Sequence, residues 1–280
     1  FSEEAYGRIS SSIGSFNTLR NNVKFSTGIL NEHFELSGRL SRITSDGYID
    51  RASSELDAYF LQGVFKSDKT LLKALFFGGH EITYQSWFGI DAETLRTDRT
   101  FNPAGIFTDE DGNTQFYDRE EDNYKQDHFQ LHWNERLNSN WNANIGLHYT
   151  RGRGYFEQFR EDDDFDTYGF DPITVNGETV NTTDLIRRRW LDNDFYGTVV
   201  SLNHQKENLN LIIGGGYNVY KGDHFGEVIW ARFAGNSSIR DRYYDDNSTK
   251  TDVNTYVKAN YKLDSQWSVF GDVQYRGVGY

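Results

Sequence analysis

The sequence has no cysteine, no methionine and only 2 prolines in 280 residues. Without cysteine, disulfide scaffolds, thiolate zinc sites and cysteine nucleophiles are excluded together. No stretch approaches the roughly 20 consecutive apolar residues that a spanning helix needs. A basic-then-apolar leader and a lipidation tail are also missing from the sequence, and the first residue is Phe1. A chain whose leader has been removed, or an internal fragment, is therefore expected. Positive charge is scarce, with 29 Lys and Arg against 42 Asp and Glu and a net charge of -13, so a general nucleic-acid surface is excluded. No Ser/His/Asp order and no spaced carboxylate pair stands out, so no catalytic residue is assigned and no enzyme activity is expected. What is abundant is glycine (26 residues) and aromatic side chain (6 Trp, 18 Tyr and 21 Phe). The mean hydropathy is nonetheless only -0.74. Transmembrane β-barrels combine these properties, because their strands give only alternate residues to lipid.

Alternation of period two runs along most of the chain, and no 3.6-residue period competes with it. Trp141, Ala143, Ile145, Leu147 and Tyr149 share one face, opposite Asn142, Asn144, Gly146, His148 and Thr150. Val253, Thr255, Val257, Ala259 and Tyr261 repeat the pattern, as do Trp267, Val269, Val273 and Tyr275. The alternation predicts an all-β chain of about eleven strands, near 5–14, 19–30, 34–45, 55–66, 70–83, 124–137, 141–152, 192–205, 209–221, 251–263 and 267–279. Tight turns around Glu32, Asp68, Ser139, Glu207 and Ser265 alternate with long loops at 46–54, 84–123, 153–191 and 222–250. Short turns on one rim and long loops on the other are the asymmetry of an antiparallel, up-and-down transmembrane barrel. Both prolines, Pro103 and Pro172, fall in long loops, where no ladder bond is lost. Many predicted strands exceed the 5 to 6 residues common in globular sheets. Segments 55–66 and 70–83 are apolar on both faces, so alternation leaves their orientation open. A closed barrel of this kind has an even number of strands, so eleven implies part of a larger one.

Several blocks resemble the TonB-dependent outer-membrane receptors, particularly the Bacteroidetes-type receptors for iron complexes and related chelates. These are Tyr6 to Ser10, Gly14 to Thr18, Leu40 to Arg51, Thr83 to Trp87, Phe116 to Asp118 with Asn123 and Tyr124, Asp127 to Leu131, Leu147 to Tyr155, Trp190 to Gly197 and Asp223 to Arg232. The resemblance implies a barrel of 22 strands around an N-terminal plug. Residues 1–280 would then be the first half of the barrel domain, without plug, TonB-contacting segment or second half. It further implies an outer-membrane location in a Gram-negative bacterium and energy coupling through TonB, ExbB and ExbD. The expected function is binding and import of a scarce metal chelate, an iron–siderophore or heme, with cobalamin next. Lipopolysaccharide would be a second partner. A passive porin or adhesin-like barrel and a soluble carbohydrate-binding β-sandwich are the alternatives from other classes.

The candidate binding set is aromatic and lies in the predicted long loops: Tyr84, Trp87, Tyr117, Tyr155, Phe156, Trp230 and Tyr243, with His224 and Arg232. Trp and Tyr supply contact area at small entropic cost, and Arg and His meet acidic groups on a chelate. Arg187, Arg188 and Arg189 either fork onto lipopolysaccharide phosphates or an anionic ligand, or anchor a loop-to-strand border. No cofactor or metal site is expected. The run from Asp109 to Asn113 has half the look of a calcium loop and more that of a polar turn. Glu161 to Asp164 suits a solvated loop tip. His128 and His132 lie about 13 Å apart on a strand, too far to share an ion. Gly214 to Gly216 opens no helix and suits close packing.

Overall fold

The computed structural model describes residues 2–280. Its strands are β1 (Ala5–Ile13), β2 (Leu19–Thr27), β3 (Phe34–Ser45), β4 (Ser54–Lys66), β5 (Thr70–Tyr84), β6 (Ile106–Thr108), β7 (Thr114–Phe116), β8 (Glu121–Arg136), β9 (Trp141–Asp164), β10 (Ile173–Val175), β11 (Glu178–Val180), β12 (Thr182–Lys206), β13 (Leu209–Ala231), β14 (Arg242–Lys262) and β15 (Ser268–Gly279). Eleven of them form one sheet in the order β1-β2-β3-β4-β5-β8-β9-β12-β13-β14-β15, every neighbouring pair antiparallel. The hairpins β6–β7 and β10–β11 lie in two connections on one rim, as does the single-turn-and-a-half helix α1 (Ala92–Thr97), which Asp91 caps. This is the up-and-down meander expected from the alternation. β1 and β15 are its open edges.

One expectation is corrected. Segments 153–164, 182–191, 222–231 and 242–250 are strand, so β9, β12, β13 and β14 reach 24, 25, 23 and 21 residues. Tyr155, Phe156, Arg187, Arg188, Arg189, His224, Trp230 and Tyr243 accordingly stand on strands rather than in loops, and Tyr84 is the last residue of β5. The reason is that hydropathy alternates only while one face meets lipid. Beyond the membrane both faces are wet, and the two-residue period persists without its polar contrast. The tall ladder is cooperative: β9 pairs with β12 from Trp141–His204 to Asp164–Thr182.

Register resolves the two faces. Ile9, Val23, Leu40 and Tyr59 form one cross-strand row, and Phe76, Phe129, Tyr149 and Tyr196 form another. Phe76 stacks on Phe129 at 4.7 Å, and Phe129 on Tyr149 at 6.0 Å. Leu131, Leu147, Val200, Ile213, Val253, Val257 and Val273 share that face and stay exposed, as does Ile9 at 81%. Returning such a side chain to water costs about 1.5–3 kcal/mol, so the face requires an apolar surround. Trp141 lies eight residues below Tyr149, about 26 Å along the strand, which after a tilt near 40° covers most of the roughly 25 Å apolar band of such barrels. Directly beyond the Tyr149 row the same face turns charged: Tyr149 donates to Asp194 at 2.6 Å, Arg151 pairs with Asp192 and Asp194, and Arg153 with Asp192. Charge begins where headgroups would begin.

The opposite face is polar, with Gln126, His128, Gln130, His148, Thr150, Asn218 and Asp252 in register. Phe77 of β5 stacks on His128 at 4.6 Å, so Phe60 and Phe77 belong to this wall, and Leu61 and Phe76 to the apolar one. The histidines are spent within the wall: His128 on Thr150 and Gln126, His132 on Gln130, His148 on Asn218. Tyr124 lies flat over Gly152, whose missing Cβ leaves room for the hydroxyl. Such tyrosine-on-glycine contacts pin the register of neighbouring strands. A recess of about 650 Å³ on this wall is lined by Phe195, Asn218, Tyr220, Asp252 and Arg276.

Candidate functional site

At the tall rim the aromatic and arginine residues sort into three groups, and only one faces the polar wall unobstructed. The first group is an anchor for the 85–120 connection. Tyr84 is buried at the end of β5, donates to the carbonyls of Tyr117 at 2.7 Å and Ala104 at 3.1 Å, and meets Arg51 Nε at 3.3 Å. Asn102, also buried, donates to the carbonyls of Asp50 and Gln85. Tyr117 donates its hydroxyl to Glu157, a fully buried carboxylate that also takes Arg188 Nε at 2.6 Å and lies 3.8 Å from Arg119. Burial and the Glu157 carboxylate push the Tyr117 hydroxyl well above its usual range. Tyr84 and Tyr117 are therefore packed and bonded within this anchor, Tyr84 buried and Tyr117 half-buried.

The second group lies on the apolar-face side, above the charged belt. Tyr155, Trp190 and Phe225 stand in one row, with centroids 4.7 Å and 5.7 Å apart, and Arg188, Arg153 and Arg242 cover their rings. Trp190 donates to Glu227 at 3.1 Å. Trp230 stacks against Phe159 at 6.5 Å, and Arg232 pairs with Asp184 at 3.0 Å and Glu110 at 3.6 Å.

The third group faces the polar wall. Register sets Phe156, Arg189, Gly226 and Tyr244 side by side across β9, β12, β13 and β14. The exposed Trp87 meets Phe156 edge-on at 6.0 Å. Arg189 donates to the Tyr244 hydroxyl at 3.3 Å and lies over the rings of Phe156 and Tyr244. One row along, Arg187 donates to Tyr168 at 3.0 Å and Gln158 at 2.9 Å. Tyr243 packs edge-on against Tyr168 at 4.7 Å. These rest on a small core of Phe165, Tyr168, Phe170, Leu185 and Val228, which fixes the 165–181 connection against the strands. His224 occupies the next row towards the membrane, opposite Leu191.

Of the residues picked from sequence, Trp87, Phe156, Arg187, Arg189, His224 and Tyr243 are thus brought together on one side. Tyr155, Arg188, Trp230 and Arg232 stand apart from them. Glu120, Glu157, Tyr168 and Tyr244 were not found from sequence. Only the alternation of Arg187 and Arg189 against Arg188 signalled the split. The remaining motifs are structural. Asp109 closes the β6–β7 turn by accepting from the Asp111 and Asn113 amides and the Gln115 side chain. Asp163 is held by Arg160 at 3.1 Å and accepts from Tyr168 at 2.5 Å, and Gly214 makes room for Tyr256. No group of metal-ligating residues occurs among the described residues.

No family model and no curated protein sequence matches the chain. Solved structures do. The ferric-catecholate import receptor Fiu of Escherichia coli matches at 10% identity and TM-score 0.64, over 99% of this chain and 45% of its own. The ferripyoverdine receptor of the outer membrane of Pseudomonas aeruginosa matches at 12% and 0.62, over 99% and 38%. The copper transporter OprC matches at 10% and 0.64, over 99% and 37%. The chain spans less than half the length of each of these. At such identities the likeness is one of fold, and it agrees with the meander, its apolar belt and its polar wall: the chain has the fold of a TonB-dependent receptor barrel, laid out as an open sheet of eleven strands.

Proposed function

We propose that this chain is the first half of the barrel of an outer-membrane receptor that binds a scarce metal chelate and imports it by TonB coupling. The ligand of this reading is an iron–siderophore or heme. The observation that carries it is the third group: Trp87, Phe156, Arg189 and Tyr244 are held on the polar side of strands that stand well beyond the apolar belt. A ligand arriving from outside meets aromatic surface and a guanidinium before it meets the wall. The role is capture and passage, with no bond made or broken by the chain. The matched structures described as an import receptor and as a receptor bound to ferripyoverdine support this reading. So does the polar wall, a hydrated face on which His128 bonds Thr150 and His148 bonds Asn218, as suits the side that a plug domain would meet. The remaining eleven strands, the plug and the TonB-contacting segment belong to the parts of the receptor beyond these residues.

Deletion of the gene tests it. Loss of growth on one defined iron chelate or on heme, restored by the gene and abolished again when TonB is removed, is expected. Uptake that persists without TonB would overturn the reading in favour of a passive pore, and a growth defect confined to cobalamin would change the ligand.

A further inference from the structure

Below its aromatic row the apolar face is not evenly filled. Register sets Gly63 and Ala74 side by side, with Leu36 and Leu131 as their outer neighbours. The row above carries Leu61, Phe76, Phe129 and Tyr149, and the row below carries Phe65, Leu72 and Trp133. Two small residues between two large rows leave an open notch of about 600 Å³. Other glycines of this face are covered, Gly38 by the ring of Phe25 and Gly78 by that of Tyr59. Gly63 is not: a Cβ added there would meet nothing within 4 Å. Packing inside the chain therefore gives no reason for its small size. In a surface surrounded by lipid such a notch takes hydrocarbon, because a void forfeits dispersion contacts.

Charge stands above the notch on two of the same strands. Six residues along β8 and β9 from Leu131 and Leu147 are Lys125 and Arg153, themselves cross-strand partners. That is about 20 Å of strand, or roughly 15 Å of depth at a tilt near 40°, about half of the roughly 30 Å hydrocarbon core. Lys125 Nζ lies 3.6 Å from Asp127 and Arg153 Nε 3.4 Å from Asp192, both loose contacts. The two cations are more than half exposed, whereas the Asp127 and Asp192 side chains are at 22% and 15%. Beneath them Arg151 pairs with Asp192 and Asp194. The belt thus turns negative charge inward and positive charge towards the headgroups.

We propose that the notch and the Lys125–Arg153 pair form one site for a phosphate-bearing lipid of the outer leaflet, with its phosphate on the two cations and an acyl chain in the notch. Cross-strand partners hold their Cβ atoms about 4.5–5.5 Å apart, so a single phosphate reaches both. Arg153 meets it with its planar fork and Lys125 as a point charge. Phe76, Phe129 and Tyr149, stacked in series at 4.7 Å and 6.0 Å, form the shelf that the chain crosses on its way down. The site rests on the placement of this face in the outer membrane and is independent of what the receptor imports.

The test is native mass spectrometry of the full-length protein released from detergent, titrated with phosphatidylglycerol, lipopolysaccharide, uncharged diacylglycerol and inorganic phosphate. One phosphate-bearing lipid is expected to stay on each barrel, with diacylglycerol and inorganic phosphate held about tenfold or more weaker. Gly63→Leu with Ala74→Leu fills the notch and should weaken lipid binding about tenfold or more. Thr255→Leu enlarges the same face on distant β14 and is expected to leave binding within about twofold. Lys125→Gln with Arg153→Gln should bring the phosphate-bearing lipids down to the level of diacylglycerol. Where the double filling fails to fold, Gly63→Leu decides alone, since its side chain enters open space. Retention of either phosphate-bearing lipid by this pattern supports the site and names its occupant. Unchanged binding in the filled variant, diacylglycerol held as tightly as phosphatidylglycerol, or binding of inorganic phosphate alone overturns it. A barrel that keeps the lipid yet imports no chelate leaves the site standing and loses the receptor reading.

Discussion

Glu157 shows how one side chain holds the tall rim together. It has no exposure, and it accepts from Tyr117 and Arg188 with Arg119 close by. A buried ion pair offers little net stability over an apolar pair of equal volume, yet breaking it leaves the partner charge stranded at about 3–5 kcal/mol. Glu157→Gln is therefore expected to loosen the contact between the 85–120 connection and β9–β12. Native-state hydrogen exchange of the full-length barrel should show protection of the rim amides falling about 100-fold or more, while amides in the apolar belt keep theirs. Replacing Glu157 and Arg188 together by Leu and Met should recover most of the protection. Uniform loss across the belt as well would show that the cluster supports the whole sheet instead of the rim. None of this was legible in the sequence. Glu157 sits between Phe156 and Gln158 with no spacing to mark it, and its burial depends on Tyr117, forty residues away in a loop.

At the scale of elements, the strands spanning the apolar belt could be read from the chain, and the extensions above it could not. The sequence limits 34–45, 55–66 and 70–83 fall within a residue or so of β3, β4 and β5. The limits 141–152 and 192–205 cover about half of β9 and β12, whose outer halves carry Arg153, Glu157 and Arg187 where contrast would be needed. Burial of Glu120 at its end makes the connection 85–120 sensitive to pH. Glu120 accepts the Phe159 amide at 3.0 Å, and its carbonyl takes the Gln85 amide at 2.7 Å. Burial pushes its carboxyl up to about 7, opposed by Arg160 and Arg187 and assisted by Glu157. The folded-state value is raised above the ordinary one, so its contribution is fully present below about pH 4.5 and is lost as pH rises through about 7. Asp163, lowered by Arg160 and Tyr168, has the opposite dependence but belongs to the neighbouring connection. Proteolytic nicking of 85–120 is therefore expected to be faster at pH 8 than at pH 5.5, and Glu120→Gln should flatten the difference. A pH effect that survives in Glu120→Gln would assign it to another group.

For the whole molecule the decisive fact is that the sheet ends on both sides. β1 leaves Ile9 at 81% and Ile13 at 85% exposed, and β15 leaves Val273 at 75% and Tyr275 at 67%. Each edge also carries a row of backbone N–H and C=O groups with no strand beside it, the most aggregation-prone feature a sheet can have. In lipid, where no water replaces the missing bonds, each unpaired group costs several kcal/mol. Proline and short length, two usual protections of an edge, are missing from β1 and β15, each of which runs nine or more residues without interruption. Closure by further strands, as in the longer chains that share this fold, satisfies both rows at once. Produced by itself in detergent, the 280-residue segment is expected to sediment as dimers and larger species joined through β1 and β15. Co-expression with the rest of the barrel as a separate chain should convert it to a one-to-one complex. Placing proline at Val269 and Val273 should lower the self-association through β15 and leave β1 to limit the species to dimers. A monodisperse folded monomer would show that the edges close on each other in a smaller barrel, and the half-barrel reading would fall with it.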